Sequence, residues 1–192
     1  MFKTTPLKRL RELLLGLAGV FGAGGAPVAG AAPPSDTPET IAARARMVAE
    51  IAAMARDTAA ETMRPVFAPR VMAALGRVPR HLFVPPAVRA SAYDNRPLGI
   101  GHGQTISQPY IVALMTDLAE PSPHDVVLEV GAGSGYQAAV LAELVRHVYT
   151  VEIVAAVARQ GEANLAAAGY RNVTVRVGDG YAGWPERAPF DA

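Results

Sequence analysis

The sequence predicts an α/β fold in which a parallel-type sheet is flanked by helices and preceded by a helical N-terminal region. Three observations carry that expectation. From residue 125 onward, strand-like apolar runs alternate with helical patterns. A glycine-rich turn joins the first of those strands to the first of those helices. Further upstream, apolar residues recur at helical spacing.

The elements follow in order. Thr37 can cap a helix that carries Pro38 in its first turn. From there to about Met63, Ile41, Ala45, Val48, Ile51 and Ala55 fall near one helix face. Pro65 and Pro69 break that pattern. "RVMAALGRVPRHLFVPP" predicts a short helix ending near Gly76, then an extended segment. Residues 92–108, rich in glycine and polar side chains, read as a structured loop. "QPYIVALMTDLAE" reads as a helix, with Pro109 near its start and Pro121 beyond its end. "DVVLEV" and "HVYTVEI" then read as strands, and "YQAAVLAELV" between them as a helix. Val154 to Ala168 is a second helix closed by Gly169, and "NVTVRV" is a third strand followed by a "GDG" turn. Such an order implies right-handed crossovers. "PFDA" at 189–192 reads as the opening of a fourth strand, so the C-terminal strands of an open sheet are expected to be missing.

Bulk properties narrow the function classes. The 192 residues are 51% hydrophobic, enough for a core of ordinary size. With 18 basic and 17 acidic residues the net charge is +1, which offers no global attraction to nucleic acid or anionic membrane. The absence of cysteine excludes disulfides, thiolate metal sites and cysteine nucleophiles. His81, His102, His124 and His147 are scattered and form no ligand pair, so no metal site is expected. Residues 1–31 carry Lys3, Lys8, Arg9 and Arg11 ahead of an apolar, small-residue stretch, and Ala29-Gly30-Ala31 fits a small-x-small cleavage site. That segment is signal-peptide-like. Residues 32–38 read as a linker, 39–121 as a helical and substrate-loop region, and 122–192 as a ligand-binding half-domain.

The glycine turn is Gly131-Ala132-Gly133-Ser134-Gly135. It lets the backbone approach a ligand closely, and the next helix offers free N–H groups. Glu129, at the end of the first strand, suits a ligand bearing an ammonium group better than a pyrophosphate. Glu152 ends the second strand, about 20 residues past the first glycine, where an acid binds ribose hydroxyls. Asp179 in "GDG", next to Gly180, can accept a hydrogen bond from an adenine amino group. A dinucleotide fingerprint needs glycine at position 136, which is Tyr136. The set fits S-adenosylmethionine better than a nicotinamide dinucleotide. The plainer alternative makes Glu129 a capping residue and Asp179 a turn residue.

"VPRHLFVP", "AYDNRPLGIGHGQTISQPYIVALMT", "VLEVGAGSGYQAAVLAELV" and "GYRNVTVRVGDGYAGWPERAPFDA" together closely resemble the protein-L-isoaspartate O-methyltransferase family, from about Arg44 to the end. "GQTISQP" is the most specific piece, and "AAMARDTAAETMRPVFAP" departs from the family's helical spacing. The resemblance implies a Rossmann-like methyltransferase fold with S-adenosylmethionine as methyl donor. It implies transfer to the free α-carboxylate of L-isoaspartyl residues in damaged proteins and peptides. It makes Ser107 the active-site serine, positioning the substrate carboxylate, with Ile106, Gln108 and Pro109 against the cofactor. On the residues alone, the favoured reading of Ser107 is the cap of the helix beginning near Pro109, and only the family resemblance reverses that order. His102 and Trp184 read as structural.

The expected partners are isoaspartyl polypeptides, with no nucleic acid and no stable membrane association, and the expected state is a monomer. A cytoplasmic location fits the compartment where S-adenosylmethionine is made; the N-terminal segment points instead to the periplasm or export. Two other functions share these features: another Rossmann-like methyltransferase acting on a small molecule or RNA, and a non-catalytic S-adenosylmethionine-binding fold.

Overall fold

The computed structural model describes residues 36–192, so the signal-like segment lies outside the described residues. Helix α1 (Pro38–Asp57) begins at Thr37, whose hydroxyl accepts from the Thr40 amide while Thr40 Oγ1 accepts from the Thr37 amide. This reciprocal cap satisfies two N–H groups that a helix start leaves free. Its buried stripe is Arg44, Met47, Ile51 and Ala55. Ile51 and Ala55 are as expected, but Ile41 and Ala45 face solvent. The stripe is rotated because Arg44 turns inward to a buried ion pair with Asp36 at 2.7 Å. Removing one partner of such a pair costs about 3–5 kcal/mol.

The helix expected to run to Met63 is divided. Thr58 Oγ1 donates back to the Met54 carbonyl (2.8 Å) and lies 2.6 Å from the Tyr110 hydroxyl. Short helix α2 (Ala59–Thr62) follows and ends at Met63, whose φ of 56° is left-handed. Helix α3 (Pro69–Arg77) matches expectation. The segment beyond it is not extended: it forms 3-10 turns at Arg80–Phe83 and Pro86–Ser91. Pro79, Pro85 and Pro86 fix φ near the value such turns need, and the apolar run between them is buried rather than paired. The expected loop over 92–108 contains a small antiparallel hairpin, β1 (Leu98–Gly101) and β2 (Gln104–Ile106). His102 sits at its turn with φ 53°.

Helix α4 (Pro109–Leu118) leads to the main sheet. Strands β3 (Val126–Val130), β4 (His147–Glu152) and β5 (Val173–Val177) are parallel, in the order β3-β4-β5. Helices α5 (Tyr136–Ala142) and α6 (Ala155–Ala167) cross between them. The other edge of β3 is taken by the chain's last residues: Asp191 N–H donates to the Val126 carbonyl and Leu128 N–H to that of Ala192, both at 2.9 Å. The winding direction of the sheet therefore changes at β3, where open α/β sheets bind ligands. Trp184 and Phe190 pack edge-on against Tyr149, with Arg176 4.5 Å over the indole. A core running from Met47 to Leu165 joins the N-terminal helices to the sheet. No helix among the described residues is long and apolar enough to cross a membrane.

Close backbone approach fixes the glycine turn. A Cβ on Gly161 of α6 would lie 2.7 Å from the Gly133 carbonyl oxygen, and one on Gly135 would lie 2.9 Å from Leu165 Cγ. Glycine in an exposed helix normally costs about 1 kcal/mol relative to alanine. We therefore expect opposite signs at two helical glycines. Gly76→Ala, with nothing near its Cβ, should stabilise the chain by up to about 1 kcal/mol. Gly161→Ala should destabilise it by about 1–3 kcal/mol through overpacking. Urea denaturation of both variants measures this, and equal shifts would remove the packing argument.

Candidate active site

The candidate site lies where β3, β4 and β5 end. Gly131, Gly133 and Gly135 take φ of 94°, 52° and 86°, left-handed values that explain the G-x-G-x-G spacing. Gly131 N–H donates to the Val151 carbonyl at 2.8 Å, so the turn springs directly from the β3–β4 ladder. Ser134 is buried; its carbonyl accepts from Asn164 Nδ2 of α6 at 3.0 Å.

The Glu152 carboxylate is buried and spans the turn. Oε2 accepts from the Gly133 amide at 3.0 Å and Oε1 from the Val154 amide at 2.9 Å. An acid read for its ligand thus also clamps the turn to the start of α6. Glu129 is buried too, but its Oε2 has no hydrogen-bond partner. It makes no cap. Burial pushes its carboxyl up to about 8 from an ordinary 4.5; nearby Thr150 opposes the rise, and the charge of Glu152 adds to it. Asp179 is exposed, and its Oδ1 accepts from the Tyr181 amide at 2.9 Å, the turn role that was the plainer alternative; Oδ2 stays free of that bond. Gly180 packs against Val130: a Cβ there would overlap Val130 Cγ1, so a larger residue would have to displace that exposed side chain.

Gly131, Glu152, Asp179 and Gly180 come together around one cleft of about 400 Å³. Its other walls are Val130, Val151, Ile153 and Tyr181. Val130, Ile153 and Tyr181 are 64%, 70% and 103% exposed. Sequence reasoning passed over these three. The available signal was position: each directly follows an acid or glycine already singled out at a strand end.

Ile106, Ser107, Gln108 and Pro109 do not line that cleft. Ile106 and Pro109 are buried and Ser107 is exposed. Ser107 does not cap α4: the cap position is Gln108, and the Tyr110 amide is satisfied by Asn95 Oδ1 at 3.0 Å from the preceding loop. Gln108 Nε2 donates to the Asn95 carbonyl at 3.0 Å, locking the same corner. This trans-capping leaves the Ser107 hydroxyl available at the surface.

Arg80 joins the two halves, and it was missed. It is fully buried, donates from Nε to the Ala92 carbonyl and from Nη2 to the Ser107 carbonyl, both at 2.8 Å, and lies 4.6 Å over the Tyr136 ring. No carboxylate pairs with it among the described residues. Burying a cation unpaired carries an effective penalty of several kcal/mol, so its contacts must recover much of that cost. A second cavity, about 260 Å³, lies on the other side of the glycine turn, lined by Gly133, Ser134, Phe83, Ile100 and His102 among others. Among the described residues no cluster of three or more metal-ligating side chains occurs.

Residues 58–192 match the family model described as protein-L-isoaspartate(D-aspartate) O-methyltransferase. The chain belongs to this family. Proteins named protein-L-isoaspartate O-methyltransferase are 60% identical to it in Polaromonas sp. (76% of this chain, 69% of the relative) and in Cupriavidus necator (78% and 58%). One from Syntrophobacter fumaroxidans is also 60% identical (78% and 61%). The chain therefore spans 58–69% of the length of these relatives. A solved protein-L-isoaspartate O-methyltransferase superposes with a TM-score of 0.62 at 25% identity, covering 74% of this chain and 45% of the other. One from Plasmodium falciparum, solved with S-adenosyl-L-homocysteine, shares the fold at 20% identity and a TM-score of 0.54, covering 70% and 66%. These likenesses bear out the Rossmann-like methyltransferase fold.

Burial of Glu129 has a consequence for stability. Between pH 4.5 and about 8 the folded chain keeps this proton while the unfolded chain releases it. The contribution is therefore full below pH 4.5 and is lost as pH rises through about 8. We expect Glu129→Gln to flatten the fall in melting temperature between pH 5 and pH 9 (about one proton's worth). Thermal melts across that range check it; parallel curves for the two proteins would show that Glu129 is not the group responsible.

Proposed function

We propose that the chain is a protein-repair methyltransferase that uses S-adenosylmethionine to methylate the free α-carboxylate of L-isoaspartyl residues in damaged proteins and peptides. The observation that carries this reading is the family match over residues 58–192, which takes in every residue assigned to the site.

The side chains present fit such a cofactor. Glu129 has a buried oxygen with no partner, suited to an ammonium group. Glu152 has lone pairs left over from its two amide bonds for ribose hydroxyls. Asp179 offers an exposed acceptor to an adenine amino group, and Val130, Ile153 and Tyr181 offer apolar walls to the base. Gly131, Gly133, Ser134, Gly135 and Gly180 let the ligand approach the backbone; Ile106, Gln108 and Pro109, which the resemblance sets against the cofactor, stand on the serine loop outside that cleft. When bound, S-adenosylmethionine would supply a methyl group on a sulfonium: the carboxylate oxygen would bond to the methyl carbon as its bond to sulfur breaks, giving a methyl ester and S-adenosylhomocysteine.

The demands on the protein are modest. A carboxylic acid of ordinary pKa near 4 is already an anion at neutral pH, so no side chain need remove a proton. What remains is alignment and exclusion of water. Ser107 supplies alignment: its exposed hydroxyl donates a hydrogen bond to the substrate carboxylate. The proposed protein is a monomer that acts in the cytoplasm, where the methyl donor is made.

The test uses labelled S-adenosylmethionine and two peptides of identical composition, one with isoaspartate and one with aspartate. Label should enter only the isoaspartyl peptide and leave as methanol in mild base. Label in neither peptide would overturn the reaction, and label in both would overturn the specificity. Ser107→Ala should lower kcat by about 10²-fold, the scale set by losing one positioning contact, with little change in KM for S-adenosylmethionine. An unchanged kcat would remove Ser107 from the site.

A further inference from the structure

Three segments far apart in sequence meet at one side chain. Arg80 opens the 3-10 turn Arg80–Phe83, Ala92 begins the stretch leading to the hairpin, Ser107 follows the hairpin, and Tyr136 is the first residue of α5, directly after Gly135. The guanidinium spends separate nitrogens on the Ala92 and Ser107 carbonyls and lays its plane near the Tyr136 ring. Phe83 meets the same ring edge-on at 5.7 Å, which fixes the ring's position from the other direction. Arg80 Nη1 and the Tyr136 hydroxyl are both buried and make no hydrogen bond. The group is thus held for its geometry: among the described residues nothing pairs its charge, and it is fully buried.

We infer that Arg80 is a positioning residue for methyl transfer, fixing the backbone that carries Ser107 relative to the helix that begins at the glycine turn. This rests on the function proposed above. The hydroxyl of Ser107 is exposed and has no cap bond to orient it, so its location depends on its backbone. The carbonyl of that same residue is the atom Arg80 grips. The Tyr136 stack ties the grip to the cofactor side of the site, so the serine and the glycine turn move as one body. Lysine cannot replace this arrangement, because a point ammonium has neither the fork that reaches two carbonyls nor the plane that stacks.

The experiment combines Arg80→Lys, Arg80→Met, Ser107→Ala and the double variant Arg80→Lys/Ser107→Ala in the full chain. Arg80→Lys should lower kcat by about 10²-fold. Affinity for S-adenosylhomocysteine by calorimetry should stay within about twofold, because the glycine turn keeps its own hydrogen bonds to Glu152 and to Asn164 of α6. The double variant should be no slower than Ser107→Ala by more than about twofold. Multiplied losses would overturn the inference, since they mean that Arg80 acts elsewhere.

A second readout needs no turnover. Hydrogen exchange should accelerate in residues 104–109 of Arg80→Lys and stay unchanged in 131–135. Unchanged exchange in 104–109 would also overturn the inference. Arg80→Met keeps the volume without burying a charge, and supplies the same comparison if the lysine variant does not fold. If the wild-type chain methylates neither peptide, the proposed reaction fails on its own account, and the exchange data still decide whether Arg80 holds the serine loop.

Discussion

The contact on which the site depends is the approach of two backbones, the glycine turn after β3 and helix α6. Gly161 permits it by presenting no side chain to the Gly133 carbonyl. Glu152 and Asn164 then hold it with hydrogen bonds to the Gly133 amide and the Ser134 carbonyl. Because Glu152 ends β4 and Asn164 lies on α6, the turn is referenced to the sheet and the helix at once. The left-handed conformations of its glycines follow from that placement, and so does the open cleft beside Gly131.

Near this turn two ionisable groups are buried without a counter-charge among the described residues: Glu129 on β3, and Arg80 against the backbone of the serine loop. Each is costly by the ordinary rules of desolvation. The two solve the problem differently. Glu129 is pushed toward its neutral form; burial also lowers the Arg80 guanidinium, but an arginine starts so high that it keeps its charge at neutral pH and relies on two carbonyls and an aromatic face. Buried groups that a packed core would not choose are common at sites shaped by chemistry rather than stability.

The sheet and its crossovers were legible in the sequence because the patterns were unambiguous. Short strand-like runs bounded by turn residues mark the strands, although β3 buries alternate residues and β5 is only half-buried, and Gly135 and Gly169 mark helix ends. The N-terminal half was less legible. "PRHLFVPP" looks extended from its prolines, yet its apolar residues are buried in 3-10 turns without sheet partners. Ile41 and Ala45 have the right spacing for a buried face, but a buried Arg44 rotated the helix away from them. The acids at strand ends were found because motif spacing marks them. Arg80 was not, since an arginine between prolines carries no periodic signal and its partners, Ala92, Ser107 and Tyr136, are adjacent only after folding. Ser107 could not be resolved from a helix cap until Asn95 was seen to do the capping.

The double clamp made by Glu152 bears on how a ligand would be received. Both oxygens are anchored to amides before any ligand arrives, so the carboxylate has no rotamer search left to make. The turn and the acceptor are ordered together during folding, and that entropy is not charged again at binding. A site of this kind recognises by rigidity. It favours a ligand whose hydroxyls already match the fixed lone pairs and offers little accommodation to one that would have to bend them.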